Sequence, residues 1–162
     1  MKPARWTGQA LHSLGATVQA VCDIDADKAA AAKELLRAEH AFTDYEAMLA
    51  DGGCTCVVIG SPMPFHVAQS IAALERGIHV LCEVTAGITI AECRELVLAA
   101  ARSEALFMMA ENICYDRTAV LINSLVDSGS MGEVRSIAVR RGVTHRQRRW
   151  HRRDYSYSAC VP

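Results

Sequence analysis

Apolar runs rich in β-branched residues recur four times along the chain, and helix-like stretches separate them. The runs alternate little between polar and apolar residues, which is typical of parallel strands covered on both faces. Strands that alternate with helices need crossover connections, and this favours an α/β fold with a doubly wound parallel sheet. The predicted strands are Val18–Ile24, Cys56–Gly60, His79–Val84 and Leu106–Glu111.

The segments between these runs carry helix signals. Asp27–Arg37 is rich in alanine with charges at helical spacing, and Thr89 with Glu92 forms a capping-box pattern. Gly77 is a residue that commonly closes helices. The predicted helices are Thr7–Leu14, Asp27–Arg37, Asp44–Ala50, His66–Arg76, a helix from Thr89 to about Ser103, and Arg117–Asp127, with a short edge strand at Ala41-Phe42.

The composition is that of a soluble globular protein. Apolar residues make up 51% of the 162 positions and charged residues 22%, and no apolar stretch approaches the ~20 residues that a membrane helix needs. The first residues lack the apolar segment of a secretory signal, so we expect a cytoplasmic protein with no membrane partner. The seven cysteines form no C-x-x-C pair, so we expect free thiols that fill the core and no metal site. A metal or redox role for Cys54 and Cys56, which would lie on one side of a strand, is the alternative.

Charge is distributed unevenly along the chain. Residues 1–134 carry nine basic and seventeen acidic side chains, whereas residues 135–162 carry eight arginines and one acid, Asp154. A shift this abrupt indicates a boundary near Arg135. The basic segment interleaves arginines with Trp150, Tyr155 and Tyr157, a pattern that also suits nucleic acid, although we favour interpretations without a nucleic-acid partner.

Asp23 closes the first predicted strand, and Asp23 and the following Ile24 are candidate cofactor-binding residues. Ligands of parallel α/β sheets bind beyond the carboxyl ends of the strands, where a carboxylate can accept both hydroxyls of an adenosine ribose. The alternative is an ordinary turn or cap aspartate. A carboxylate at this position disfavours a 2′-phosphate, so the pattern favours NAD over NADP.

Polar residues also follow the other predicted strands. Proline fixes the backbone of the loop after the second strand, which can then lie flat against a ligand. The histidine that opens the next helix can instead form hydrogen bonds only with neighbouring groups of the protein. The two glutamates and the asparagine can instead be helix caps. These candidates are Ser61, Pro62, His66, Glu83 and the pair Glu111-Asn112.

These motifs together resemble the Gfo/Idh/MocA oxidoreductases. The resemblance covers about Leu11 to Ile137, and four segments carry it: Val21–Asp25, Val57–His66, Ala73–Glu83 and Asp127–Val134. It implies a Rossmann-type NAD(P)-binding domain followed by a second domain that binds a sugar or polyol-like substrate and mediates oligomer formation. Residues 1–134 would be a partial nucleotide-binding domain, and residues 135–162 the start of the second domain or an aberrant basic tail.

The resemblance also implies roles for single residues. Asp23 would meet the adenosine ribose, Ser61, Pro62 and His66 would line the cofactor, and Glu83 would lie near the nicotinamide ribose. Family members usually have Glu-Lys-Pro after this strand, and the lysine takes part in proton transfer. Here the triplet is Glu83-Val84-Thr85, so the catalytic residue is unknown.

This triplet leaves the reaction open. It is similar to a Glu-Val-Pro-Ala branch, some of whose members are glycosidases that oxidise and re-reduce the sugar with bound NAD. The reaction is therefore a dehydrogenase step or this redox-assisted glycoside cleavage. A non-catalytic remnant or interaction module is a third interpretation.

The two ends of the chain limit what it is expected to do. Met1–Trp6 supply neither a strand nor a G-x-G-x-x-G loop, so we expect the first strand of the sheet to be missing and its neighbours to have bare edges. A replacement strand at Arg135–Val139 is the alternative. We expect the chain alone to bind NAD poorly or not at all, and substrate binding and homo-oligomer formation to need the second domain.

Overall fold

A computed structural model describes residues 10–138 and the backbone of residues 158–161. The strands in this part of the chain are β1 (Ala20–Cys22), β2 (His40–Phe42), β3 (Cys56–Ile59), β4 (His79–Cys82), β5 (Phe107–Met109) and β6 (Ser158–Val161). The helices are α1 (Ala26–Leu36), α2 (Tyr45–Asp51), α3 (His66–Leu74), α4 (Ile90–Arg102) and α5 (Arg117–Asp127). Strand and helix alternate as predicted. The observed strands β1, β3, β4 and β5 are each shorter than the apolar run that predicted them.

Polar caps fix where the helices begin. The Asp25 carboxylate accepts hydrogen bonds from the amides of Asp27 and Lys28 and opens α1. Thr89 and Glu92 form the predicted capping box at the start of α4, each side chain accepting from the other residue's amide. Residues 10–13 are helical, in agreement with the predicted first helix, whose residues Thr7–Gln9 lie outside the described residues.

The six described strands form one sheet in the order β2-β1-β6-β3-β4-β5. The pairs β1–β2, β3–β4 and β4–β5 are parallel, which confirms the predicted α/β class. Helices cover both faces, because side chains alternate along each strand. Ala20 and Cys22 pack in one apolar cluster with α2, α3 and α4, whereas Val21 packs with α1 in another.

A strand from the far end of the chain occupies the centre of the sheet. β6 runs antiparallel to both neighbours, with Ala159 opposite Val21 of β1 and Val58 of β3. This is the position of the first strand in a doubly wound sheet. The expected bare edges of β1 and β3 are therefore paired, and no described residue before β1 contributes a strand.

The replacement strand is not the segment considered from the sequence. Residues 135–138 belong to neither a helix nor a strand, and Val139 lies outside the described residues. Residues 139–157, which include most of the basic segment, also lie outside them. β6 follows that segment in the chain, and nothing in the short sequence Ser-Ala-Cys-Val singles it out as the centre of a sheet.

The larger apolar cluster, on the face covered by α2, α3 and α4, holds most of the core. Its fully buried members include Met48, Val57, Ile59 and Leu74. Cys22 and Cys82 are buried free thiols, as expected, whereas Cys54 is disulfide-bonded. Among the described residues, no helix combines the length and apolar character that crossing a bilayer requires.

The chain divides into two compact units. One contains residues 1–110 and 155–162, and the other residues 111–154. The described part of the second unit begins with a 3-10 turn at Asn112–Tyr115 and continues into α5, none of whose residues is buried. The domain boundary at Arg135 stays a prediction.

Candidate functional site

The carboxyl ends of β1, β3 and β4 lie at one edge of the sheet. Strand register places them there, because Ile59 pairs with Cys82, and β6 aligns Val21 with Val58. Asp23, Ser61 and Glu83 follow these ends within two residues. The first unit therefore brings together three of the polar side chains that the sequence singled out, at the edge where parallel sheets bind ligands.

Asp23 is a buried carboxylate with one oxygen that accepts a hydrogen bond and one that does not. The residue is 5% exposed, and its Oδ1 accepts from the Asp25 amide at 3.0 Å. Its Oδ2 is buried and has no hydrogen-bond partner among the described residues. A buried carboxylate oxygen without a partner is costly, so this atom has much to gain from a ligand hydroxyl.

Ile24 lies directly beside this carboxylate. Its side chain is 93% exposed, because the chain turns out of the sheet here to reach the α1 cap at Asp25. An exposed apolar side chain next to a buried acceptor suits a flat, partly apolar ligand. Its contact with a cofactor stays a prediction.

The loop after β3 is held by hydrogen bonds at both ends. Ser61 is buried, and its Oγ lies 2.5 Å from Gln69 Oε1 on α3. Pro62 is exposed and precedes the 3-10 turn Met63–Phe65, with its carbonyl accepting from the Phe65 amide at 2.9 Å. The loop therefore presents Pro62 outward, while the Ser61 hydroxyl is engaged with helix α3.

His66 is completely buried at the start of α3. Its Nδ1 lies 2.7 Å from the Thr85 carbonyl and its Nε2 lies 2.8 Å from the Ser61 carbonyl. Both ring nitrogens are thus engaged by backbone. This arrangement agrees with the alternative of a locally satisfied ring, and direct contact with a cofactor stays a prediction.

Glu83 follows β4 and is half-buried. Its amide donates to the Ile59 carbonyl at 2.9 Å, which extends the β3–β4 pairing to the loop. Val84, in the position where the resemblance places a lysine, is also half-buried and carries no titratable group. The loop after β4 therefore brings a carboxylate, and no proton donor at position 84, to the edge.

Asn112 belongs to the second unit and is exposed in the 3-10 turn Asn112–Tyr115. The preceding Glu111 carboxylate accepts from the Ile113 amide at 3.0 Å, so it acts as the cap considered from the sequence. The role of Asn112 in ligand binding stays a prediction.

The buried thiols near the edge are poor nucleophiles. Burial, with smaller contributions from the Asp44 and Asp23 carboxylates, raises the pKa of Cys22 to about 11. Burial raises the pKa of Cys82 to about 12. Both thiols stay protonated at neutral pH. Among the described residues, no group of histidine, cysteine, aspartate and glutamate side chains is arranged to hold a metal ion.

A groove of about 530 Å³ lies elsewhere, between α3 and α4. Its lining includes Gly77, Ser103 and Glu104, which precede β4 and β5. The groove is therefore at the amino edge of the sheet. Because ligands of parallel sheets bind at the carboxyl edge, the candidate site is the edge with Asp23.

Sequence patterns predicted the strand-end residues but missed two that hold them. Gln69 bonds Ser61, and Thr85 supplies a carbonyl to His66. The signal for Gln69 is its place one turn after His66 on α3, which points it back at the preceding loop. A backbone carbonyl such as that of Thr85 leaves no signal in a sequence.

Comparison with known proteins gives a family and several relatives. The model of the GFO_IDH_MocA oxidoreductase family, NAD-binding Rossmann fold, matches residues 4–111. A glycosyl hydrolase family 109 protein of Shewanella sp. (strain W3-18-1) is 30% identical over 135 residues, which cover 78% of this chain and 29% of that protein.

Solved structures agree in fold. An NAD binding oxidoreductase from Klebsiella pneumoniae has a TM-score of 0.66 at 30% identity, covering 71% of this chain and 31% of its own. Scyllo-inositol dehydrogenase from Lactobacillus casei, with bound NAD(H) and scyllo-inositol, has a TM-score of 0.68 at 27% identity, covering 72% and 34%. The chain thus spans about a third of the length of these relatives.

Proposed function

Because this chain belongs to the GFO_IDH_MocA oxidoreductase family, we propose that its first unit forms part of an NAD site in an enzyme that transfers hydride to or from a sugar or polyol-like substrate. The carboxyl edge of the sheet is the proposed site. Asp23, Ile24, Ser61, Pro62 and Glu83 are the proposed cofactor-binding residues at this edge. Direct cofactor contact by His66, and by Asn112 in the second unit, stays a sequence prediction. A cytoplasmic location, and homo-oligomer formation through a second domain, belong to the same proposal.

The observation that carries this proposal is the unpartnered Oδ2 of Asp23. The ribose hydroxyls of a dinucleotide are donors, and a carboxylate at the end of a parallel strand is placed to accept them. The buried residues present therefore fit the adenosine end of NAD. No glycine-rich strand-to-helix turn precedes β1 within residues 10–19, so weak binding by this chain remains our expectation.

The same carboxylate supports NAD as the cofactor in preference to NADP. A 2′-phosphate would bring negative charge against a buried carboxylate whose Oδ2 has no donor among the described residues. A ribose hydroxyl instead satisfies Oδ2. Asp23 therefore acts on specificity through repulsion as well as attraction.

The other residues of the edge would orient the cofactor. NAD, when bound, supplies the hydride acceptor, and its reduced form the donor. Pro62 offers a rigid exposed surface, and Glu83 an acceptor for the second ribose. Val84 neither holds nor moves a proton, so proton transfer to or from a substrate hydroxyl falls to a group other than the residue at position 84.

Redox-assisted glycoside cleavage is the second candidate function. The glycosyl hydrolase family 109 relative supports it, at 30% identity over 78% of this chain. Val84 is compatible with it, because the triplet Glu83-Val84-Thr85 is similar to the Glu-Val-Pro-Ala branch that includes such glycosidases. The two candidates share the proposed NAD site and differ in the substrate and in the fate of the oxidised sugar.

A titration of the full chain with NAD, followed by amide NMR shifts, tests the shared step, because shifts report weak binding. We expect shifts at Asp23, Ile24, Ser61 and Glu83, and smaller ones with NADP. Asp23→Asn should weaken NAD binding about tenfold and narrow the difference between the two cofactors. Asp51→Asn is the matched control, since Asp51 is exposed and precedes β3 at the opposite edge.

Two outcomes contradict the proposal. Shifts confined to residues outside the carboxyl edge would place the ligand elsewhere. Equal NAD affinity in the wild-type chain and in Asp23→Asn would remove the observation on which the proposal rests. Micromolar binding of NAD by the chain would contradict only the expectation of weak binding.

A further inference from the structure

The loops after β3 and β4 are linked through one side chain. His66 lies between them, with Nε2 at 2.8 Å from the Ser61 carbonyl and Nδ1 at 2.7 Å from the Thr85 carbonyl. His66 is 0% exposed, so water does not reach its ring nitrogens. A single rigid ring thus spans the two loops that flank the middle of the proposed cofactor site.

The number of protons on the His66 ring decides how many of the two contacts are hydrogen bonds. Both carbonyl oxygens only accept hydrogen bonds, and a neutral imidazole has one N–H to donate. The ring donates to both carbonyls only when both nitrogens are protonated. In either state the ring donates to at least one loop, and its planar width keeps the two carbonyls apart. Removing the ring therefore takes away the donor of the buried Ser61 carbonyl or of the part-buried Thr85 carbonyl.

Neighbouring contacts extend this link to the residues that would touch the cofactor. The Ser61 hydroxyl bonds Gln69, three residues after His66 on the same helix. Across the gap, the Thr85 hydroxyl lies 3.7 Å from the sulfur of Met63. Glu83 is two residues from Thr85, so we expect a displacement of Thr85 to move Glu83 as well.

We propose that His66 is a positioning residue that sets the separation between the loop after β3 and the loop after β4, and through them the affinity for the cofactor. The inference rests on the proposed NAD site. It assigns His66 an indirect role, since its ring nitrogens face backbone carbonyls and its side chain is fully enclosed.

The test compares two variants of His66 with a buried control in the full chain. His66→Leu fills a similar volume without a donor, and His66→Gln restores one donor. Ser70→Ala is the control, because Ser70 is also 0% exposed on α3, one turn further along. We expect His66→Leu to weaken NAD binding about tenfold, His66→Gln to fall between it and wild type, and Ser70→Ala to bind as wild type does.

Amide NMR separates positioning from a general loss of structure. In His66→Leu, amide shifts should change in both loops, at Ser61 and Met63 and at Glu83–Thr85, and stay as in wild type in β1 and α1. NAD affinity equal to wild type in His66→Leu overturns the inference and leaves the NAD site intact. Absence of NAD binding by the wild-type chain overturns the proposed function instead.

A measurement on the wild-type chain covers the case in which His66→Leu does not fold. Labelled histidine allows scalar couplings across hydrogen bonds to be detected between the His66 ring nitrogens and the carbonyl carbons of Ser61 and Thr85. At least one coupling is expected, and two if both nitrogens are protonated. Absence of both couplings would overturn the link itself.

Discussion

The sheet has two parts that are held together in different ways. β1 and β2 form a small part, with three residue pairs between them, whereas β3, β4 and β5 form a larger part with pairs at two interfaces. The larger part also has the His66 link between its strand-end loops. In the sheet, the two parts are joined through β6, which pairs with β1 on one side and β3 on the other.

This difference matters because the proposed NAD site crosses the junction. Asp23 belongs to the smaller part, while Ser61 and Glu83 belong to the larger. Local pairing fixes the larger part of the site. The distance from Asp23 to the rest depends on a strand remote in sequence, so the ribose-binding end is expected to be the more sensitive to changes at the end of the chain.

Loss of β6 is expected to have the largest effect. Deleting residues 155–162 would leave β1 and β3 with unpaired edges at the centre of the core, and a domain is stable by only about 5–15 kcal/mol. Circular dichroism and thermal unfolding should show loss of the cooperative transition. A deletion variant that unfolds at the wild-type temperature would mean that the two parts hold together without β6.

A proline variant tests the same strand with a smaller change. Ala159→Pro removes the N–H of a central strand residue, which proline does not tolerate there. Ala138→Pro is the matched control, because Ala138 is exposed and outside any strand or helix. We expect a lower unfolding temperature for the first variant and no change for the second.

The sequence predicted the two parts of the sheet much better than their junction. The runs at Val18–Ile24 and Cys56–Gly60 carry a local signal, since a strand buried on both faces must be apolar throughout. β6 has four residues after a strongly basic segment, and its position depends on pairing with residues over a hundred positions earlier. Such long-range pairing leaves no periodic pattern to detect.

A similar limit applies within the site. Strand ends located Asp23, Ser61 and Glu83, because the end of an apolar run is visible in the sequence. The unpartnered Oδ2 of Asp23 and the two carbonyls around His66 depend on tertiary contacts. The sequence could therefore predict which residues lie at the edge, and could not predict which of them are free to meet a ligand.

The pH dependence of unfolding compares the stability of the two parts of the sheet, because each part contains a buried thiol. Burial raises the pKa of Cys22, in β1, to about 11 and that of Cys82, in β4, to about 12. Because unfolding returns each thiol to its ordinary value near 9, their contribution to stability is complete below that pH and is lost as the pH rises through the folded values. Denaturant unfolding should therefore show stability falling above about pH 9.

Cysteine variants show how much of the alkaline loss of stability comes from each part of the sheet. Cys22→Ala and Cys82→Ala should each make the alkaline fall less steep. Cys114→Ala, which removes an exposed thiol outside the core, is the control for the substitution itself. If β6 makes the sheet one cooperative unit, both core variants change the same transition. Two separate transitions, each sensitive to one variant, would show that the parts unfold independently.

The smallest expected effect comes from a second contact between the parts, through the helices. The Tyr45 hydroxyl, on α2, donates to the Gln69 carbonyl of α3 at 3.0 Å. Burial, with a smaller contribution from Glu46, keeps the pKa of this phenol well above its usual value, so it remains a donor at all moderate pH values. Tyr45→Phe removes the donor with little change in volume, and we expect a loss of about 1 kcal/mol in the free energy of unfolding.

Combining Tyr45→Phe with Ala159→Pro tests whether the two contacts act on the same junction. If the two contacts are independent, the losses in the free energy of unfolding are additive. If each contact partly compensates for loss of the other, the double mutant loses more than the sum of the two single losses. The helix contact then becomes more important once β6 is weakened. An additive result would mean that Tyr45 stabilises α2 and α3 locally, and that β6 alone sets the distance between Asp23 and the larger part of the site.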